Sequence, residues 1–184
     1  MKRVLIRRRF VVPVLAAGVV LLAVALAAFQ PWRLLTSTTV IEAAPTVPST
    51  AAAPSGSTAL GGPAGGPVVL ATGRFVSHEH RTTGTARLIR LADGSAVVRL
   101  EQLDTSDGPA LHVWLTDQPV RTGSDGWHVF DDGRHLDLGD LKGNKGDQNY
   151  PVPAGTDLNG LSSVSVWCAR FHVSFGAAAL TATG

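Results

Sequence analysis

Residues 85–100, TARLIRLADGSAVVRL, contain two short apolar runs on either side of Asp93-Gly94. Asp-Gly favours the tight turn with positive φ angles that joins two antiparallel strands. Both runs are rich in aliphatic residues, and each is too short for a helix of useful length. The stretch therefore predicts a β-hairpin.

Similar runs recur on both sides of this hairpin, from about residue 68 to the end of the chain. None of them has a convincing helical period, and turn residues separate them. Several short strands at this spacing indicate an all-β fold, with a single small β-sandwich or barrel domain over residues 68–184. The further runs are residues 68–76, 111–115, 161–168 and 171–175.

Residues 10–29 contain no charged or strongly polar side chain. At about 1.5 Å per residue they would form a helix of about 30 Å, enough to cross the hydrocarbon core of a bilayer. Five basic residues precede them, which places the N-terminus in the cytoplasm and the rest of the chain outside. The sequence therefore predicts a single-pass protein of the cell membrane, with residues 1–33 as cytoplasmic tail and transmembrane anchor.

A cleaved signal peptide is the alternative for the same segment. Ala25-Leu26-Ala27 has small residues at the spacing that cleavage requires. We favour the uncleaved anchor, and in both cases the β domain is extracytoplasmic.

Residues 34–67 are rich in alanine, proline, threonine, serine and glycine. Such a composition cannot bury enough apolar surface to form a core of its own. The segment is therefore predicted to be a disordered or extended linker between the anchor and the β domain.

Charge is divided unevenly along the chain. The net charge is +2, but six of the 16 basic residues lie within the first 33 residues, which hold no acid. The remainder has ten basic residues against 14 acids, a net charge of −4. A mildly acidic domain lacks the basic surface that binds a phosphate backbone, so we expect no nucleic-acid partner.

Cys168 is the only cysteine of the chain. It cannot form an intrachain disulfide, and an unpaired cysteine is unusual in an exported domain. Arg170 and His172 follow closely and would lower the pKa of the thiol if their side chains pointed towards it. The alternative is a buried, inert residue, since free cysteine is among the most buried residue types.

The apolar face of the chain changes next to Cys168. Val164, Val166 and Cys168 fall on one face of a strand, whereas Val173 and Phe175 have the opposite parity. A β-bulge or a tight turn just after Cys168 would produce this change, and bulges are common beside functional sites.

A copper site would need Cys168 and His172 together with His78, His80 or His112. The only methionine is the first residue, so none is available as an axial ligand. The Cys-x-x-Cys-His motif that attaches c-type haem is absent from the sequence. We therefore predict no metal and no cofactor.

Residues 142–147, KGNKGD, superficially resemble a phosphate-binding loop but lack its spacing and its following helix. We expect a shaped loop in which glycines adopt positive φ, and in which Asp147, Gln148 and Asn149 bond to the backbone. Ligand binding by this loop is the alternative.

Residues 68–181 resemble the DM-thirteen domain, also called the electron-transfer DM domain. The resemblance implies an extracytoplasmic all-β domain that often accompanies redox modules, with Cys168 as a redox-active thiol. The family usually has an acid at the position of Ala110, so any binding through that acid would be absent here. The matching stretches are Gly73-Arg74-Phe75 with His80 and Gly84, residues 105–109 with 111–115, residues 137–150, and residues 164–168 with Arg170, Phe171, Val173, Phe175 and Gly176.

The resulting prediction is a membrane-anchored, extracytoplasmic accessory module that transfers electrons through Cys168. Because a lone thiol needs a second sulfur from elsewhere, we expect an unidentified redox partner protein rather than a self-sufficient enzyme. The alternative is a non-enzymatic cell-surface binding or structural module with a buried, inert cysteine.

Overall fold

The computed structural model describes residues 2–32, 36–45 and 66–183, and the chain divides into two units, Met1–Thr36 and Ser37–Gly184. The first unit holds helix α1 (Lys2–Phe29). Its segment Val12–Phe29 has a mean hydropathy of 2.7 and is long enough to cross a membrane. Membrane anchors and signal sequences share such an apolar helix near the N-terminus.

The second unit is built of β-strands, which confirms the predicted all-β domain after an apolar helix. A short 3-10 helix, Ser124–Gly126, lies between the fifth and sixth strands. The strands are β1 (Thr39–Ile41), β2 (Val68–Ser77), β3 (Thr83–Arg90), β4 (Ala96–Asp104), β5 (Leu111–Thr116), β6 (His135–Asp140), β7 (Lys145–Val152), β8 (Ser163–Cys168), β9 (Val173–Ala179) and β10 (Thr181–Ala182).

One sheet joins these strands in the order β1-β7-β4-β3-β2-β9-β8-β5-β6, with β10 beside β2. Strands β1 and β7 pair in parallel, and every other pair of neighbouring strands in the sheet is antiparallel. Strand β2 joins two halves of the sheet, one with strands β1, β7, β4 and β3 and the other with strands β9, β8, β5 and β6. Its residues 68–74 pair with β3 of the first half, and its residues 75–77 pair with β9 of the second. The sheet thereby curves into a half barrel.

The predicted hairpin over residues 85–100 is confirmed. Strands β3 and β4 pair antiparallel, with Arg90 opposite Ala96 at the end next to the turn. Gly94 has a φ of 85°, and the Asp93 carboxylate accepts a hydrogen bond from the Ser95 N–H. Only Gly94 of the pair has a positive φ, and the Gly94 N–H donates to the Leu91 carbonyl, so residues 91–95 form a longer hairpin loop with glycine at its left-handed position rather than a two-residue turn.

The concave face of the sheet encloses the main hydrophobic core. Leu88, Val98 and Leu100 come from one half of the sheet, and Val164 and Val166 come from the other. A smaller apolar cluster covers the opposite face of β5, β8 and β9. Its buried members are Trp114, Val129, Phe130, Trp167 and Ala177.

Residues 36–45 differ from the linker prediction. Thr39–Ile41 form strand β1, which extends the sheet along the outer edge of β7. The β-branched Thr39-Val40-Ile41 triplet suits a strand, and β7 supplies the unpaired edge that such a triplet lacks in isolation. Residues 46–65 of the predicted linker lie outside the described residues.

Candidate functional site

Cys168 lies at the end of β8, where it is opposite Leu111 of β5 and Val173 of β9. Its exposed fraction is 0%, and it belongs to the main core. The Sγ–H donates to the carbonyl oxygen of Pro109, 3.2 Å away. The thiol is therefore enclosed by apolar side chains on the core side and by backbone at the end of the strands.

Two turns cover this end of β8. Ala110, before β5, has a φ of 60°, and His172, before β9, has a φ of 51°. Both values fall in the left-handed region, which is unfavourable for residues with a side chain. A hydrogen bond from the Ala169 N–H to the Ala110 carbonyl, 3.0 Å, joins the two turns. They form a lid over Cys168, defined here as residues 109–110 and 169–172.

The pKa of the Cys168 thiol is raised above its ordinary value of 9.0, chiefly because burial disfavours the thiolate. Backbone N–H groups of Phe171 and Arg170 act in the opposite direction, since a donor stabilises the anion. The positive charge of Arg170 lowers the pKa too, but it is the smallest contribution. The resting thiol is therefore protonated at neutral pH.

The two predicted modulators of the thiolate occupy different surroundings from the thiol. His172 is 74% exposed, and its Nδ1 lies 3.2 Å from a carboxylate oxygen of Asp131. Its carbonyl accepts a hydrogen bond from His128 Nδ1. Arg170 is exposed on the same turn. The turn thus acts on Cys168 through its backbone N–H groups rather than through the imidazole.

The tight turn predicted just after Cys168 is present, whereas the irregularity in strand pairing lies before this residue. The register shifts between Val166 and Trp167 along the β8–β9 pair, and residues 169–172 form the turn between these strands. By regular alternation along β8, Val164, Val166 and Cys168 face the main core, while Trp167 faces the smaller apolar cluster.

Trp167 is fully buried and is stacked on Trp114, with ring centroids 4.9 Å apart. Trp114 in turn stacks on His135, an exposed residue, at 4.1 Å. Phe130 contacts Trp167 edge to face at 6.4 Å. The residue that precedes the thiol is thereby locked in place, and β8 has little freedom to move at this point. The sequence does not predict this stack. Trp114 and Trp167 are diagonal neighbours on β5 and β8, and such contacts depend on the register of the two strands.

The histidines considered as metal ligands are engaged separately. His78 is buried and bonds to Ser174 Oγ and the Arg121 carbonyl. His112 lies against Asp137, and His80 packs on Phe175. Among the described residues, no group of three histidine, cysteine, aspartate or glutamate side chains is placed to hold a metal ion.

The Leu141–Tyr150 segment has the internal bonding expected of a shaped loop, although most of it is strand β7. Gly146 has a φ of 99°. The Gln148 side chain bonds to both the N–H and the carbonyl of Gly143, and Tyr150 donates to the same side chain. Asp147 accepts the N–H of Gln102 on β4. These bonds hold the segment in one conformation.

Comparison with known proteins gives one match. The family model described as Electron transfer DM13 matches residues 74–180, which is more than half of the chain and most of its β unit. No curated protein and no solved structure matches the chain.

Proposed function

We propose a thiol-based redox role for this chain, which belongs to the electron-transfer DM13 family, whose model matches residues 74–180. The domain would act as an accessory module outside the cytoplasmic membrane and exchange electrons with a partner protein. The observation that supports Cys168 as its redox group is the lid, in which two backbone N–H groups act on the sulfur and two residues adopt unfavourable φ angles. Backbone strain of this kind clusters at functional sites.

The proposed reaction is thiol–disulfide exchange. The Cys168 thiolate attacks one sulfur of a disulfide in the partner, forms a mixed disulfide and releases the other sulfur as a thiolate. A dithiol of an electron-donor protein then takes over: its first thiol attacks Cys168 Sγ and releases the partner's second sulfur as a thiolate, and its second thiol attacks the donor sulfur of the new mixed disulfide, which restores the Cys168 thiol and leaves the donor as a disulfide. The chain has no other cysteine, so each step that resolves a mixed disulfide depends on thiols of other proteins.

Because Cys168 is fully buried, thiol–disulfide exchange requires a local opening that exposes its sulfur. The closed lid keeps the thiol protonated and blocks in-line approach of a second sulfur. When residues 169–172 move away, water replaces apolar contacts and the pKa returns towards its ordinary value. The strain at His172 lowers the cost of this opening, because it is relieved when the turn leaves its closed conformation.

The second candidate is a non-enzymatic binding or structural module with an inert cysteine. Complete burial of Cys168 and its bond to the Pro109 carbonyl favour this alternative. In that case the thiol only fills the core, as free cysteines commonly do.

The location outside the membrane is part of the proposal. The apolar helix and the basic residues before it support an uncleaved anchor with the N-terminus in the cytoplasm. Mass spectrometry of the mature protein from its native membrane tests this, because cleavage after Ala27 would remove the helix.

Thiol labelling separates the two candidates for Cys168. The intact chain is treated with an alkylating reagent between pH 4 and 9 at several low concentrations of urea, beside an unfolded control and a Cys168→Ser variant. A gated thiol labels through local opening, so its rate should change little with urea and be roughly a hundredfold below the unfolded rate. His172→Gly should slow it further, since glycine accepts the φ of the closed turn. Labelling that rises with urea as steeply as global unfolding would establish the inert alternative.

A further inference from the structure

Strand β1 is held on the edge of β7 by a short parallel ladder. Thr39, Val40 and Ile41 lie opposite Lys145, Gly146 and Asp147. The ladder continues at both ends, where the Lys145 N–H donates to the Thr38 carbonyl and the Glu42 N–H donates to the Asp147 carbonyl. The backbone of residues 38–42 is therefore bonded along its whole length.

Side chains of the receiving edge extend this bonding. The Asn144 amide oxygen accepts the Thr38 N–H at 2.7 Å. At the other end, Arg99 donates to the carbonyl oxygens of Glu42 and Ala43 at 3.2 and 3.1 Å. Asn149 donates to the same Ala43 carbonyl at 2.8 Å. Side chains of the receiving edge thus bond to the Thr38 N–H and to the Glu42 and Ala43 carbonyl oxygens, which the backbone ladder leaves without a partner.

The Glu42 carboxylate is bound at both oxygens. One oxygen lies 2.7 Å from Lys142 Nζ, and the other accepts the Asn149 N–H at 2.6 Å. The Lys142 ammonium holds the pKa of Glu42 below its ordinary value. A carboxylate at this position therefore adds charge-assisted bonds to the backbone ladder.

Two glycines of the receiving edge make room for the strand. A Cβ atom on Gly143 would lie 2.6 Å from the Thr38 carbonyl oxygen, and one on Gly146 would overlap the Val40 carbonyl. Both positions are therefore restricted to glycine by close approach of the incoming backbone. Gly143 has no positive φ, so its backbone conformation alone would accept other residues. Only the docked strand makes glycine necessary at this position.

Apolar packing contributes little to the contact. The side chain of Ile41 is 83% exposed, and Thr39 is exposed as well. The edge therefore recognises an extended backbone and a carboxylate, which is the chemistry of peptide binding by strand addition.

We propose that this edge, formed by Leu141–Tyr150 with Arg99, is a binding site for an extended peptide with a glutamate directly after a three-residue strand. The resident ligand is the chain's own segment 38–43. The site depends on neither the anchor nor the reactivity of Cys168, so its failure and that of the redox role are separate results.

Peptide binding to a chain with an emptied site tests the proposal. The full chain carries Val40→Pro with Glu42→Pro, which removes the ladder donor of residue 42 and the carboxylate together. Titration calorimetry then measures binding of a free peptide with the sequence of residues 36–45 and of its glutamine counterpart at position 42. We expect saturable binding of the first peptide, roughly three- to tenfold weaker binding of the second, and much weaker binding of either to the unaltered chain. Equal affinity of the two peptides, no binding, or equal binding to the unaltered chain would overturn the proposal.

Hydrogen exchange keeps the proposal testable if the double variant fails to fold. In the otherwise unaltered chain, Glu42→Gln should speed exchange of the Glu42-position and Lys145 amides roughly three- to tenfold, because the closed ladder is less populated. Glu79→Gln, in the exposed bend between β2 and β3, is the matched control and should leave both rates unchanged. The same rates in all three proteins would contradict recognition of the carboxylate.

Discussion

The end of β8 and the edge of β7 are opposite kinds of site on one sheet. Around Cys168, apolar burial and two backbone turns exclude water, and the thiol is kept protonated. Along β7, charged and amide side chains bind an exposed strand with almost no apolar contact. Chemistry at the first site therefore requires opening, whereas binding at the second requires only a free strand.

The two sites also differ in how they respond to their surroundings. A buried site changes when packing or the protonation of an enclosed group changes. The strength of binding at a polar edge depends on pH and salt, because its hydrogen bonds and ion pairs involve partly exposed charges. Variants at each site and changes of pH test this difference.

The largest effect is expected from Trp167→Ala, which empties the centre of the aromatic stack behind Cys168. Removal of a fully buried indole should lower the free energy of unfolding by about 3–5 kcal/mol. Chemical denaturation measures this loss. Phe171→Ala, on the exposed turn of the lid, is the control and should cost much less. Similar losses for the two variants would contradict the dominant role of the stack at this end of the sheet.

Arg99→Met is expected to have the largest effect at the polar edge. Arg99 is 5% exposed and bonds to Glu101, Asn149 and Asp147 as well as to the docked strand. Its loss leaves carboxylates and carbonyls without a donor, which should cost about 2–4 kcal/mol. Denaturation of Arg90→Met, an exposed arginine at the end of β3, provides the comparison. An equal, small cost for both arginines would mean that water replaces the Arg99 contacts.

Alkaline pH should destabilise the protein through its buried acids. Burial raises the pKa of Cys168 above 9.0 and raises the pKa of Tyr150 to about 12. The unfolded chain releases these protons first, so stability falls as pH rises above the ordinary value of each group. The slope is about 1.4 kcal/mol per pH unit for each group while its folded form stays protonated. Denaturation between pH 8 and 11 should show a smaller decline in Cys168→Ala, and an unchanged decline would place the thiol in contact with water.

The smallest effect concerns Glu42 at acid pH. Its pKa is lowered from 4.5 mainly by the hydrogen bond from Lys142, so the unfolded chain binds this proton first. The contribution of Glu42 is complete above the ordinary pKa and is lost as pH falls through the lower folded value. Partial exposure limits it to less than about 1 kcal/mol. The protection factor of the Lys145 amide, which is the intrinsic exchange rate at a given pH divided by the observed rate, should fall between pH 6 and pH 3, and Glu42→Gln should remove this fall.

Local sequence patterns identified several elements correctly. The Asp93-Gly94 turn and its aliphatic flanks predicted the β3–β4 hairpin, because turn geometry and side-chain burial are both local. The uncharged N-terminal run predicted an apolar helix for the same reason. The parity change after Cys168 predicted an irregularity at that point, which the structure contains as the turn of residues 169–172.

Other features were beyond local patterns because they depend on strands distant in sequence. Thr39-Val40-Ile41 lies in a segment with the composition of a linker, and only the β7 edge, about a hundred residues later, makes it a strand. The direction of His172 towards Asp131 depends on the turn before β6. The stack of Trp114 on Trp167 depends on the register of β5 with β8.

By itself, the sequence determined an apolar N-terminal helix, an all-β domain and a lone cysteine beside a break in its strand. These follow from composition, alternation and turn residues within short windows. Tertiary structure alone decided that the cysteine is enclosed and protonated, and that residues 38–43 complete the sheet. The reason is physical: burial and edge pairing are properties of surfaces that come together only when the sheet closes around its core.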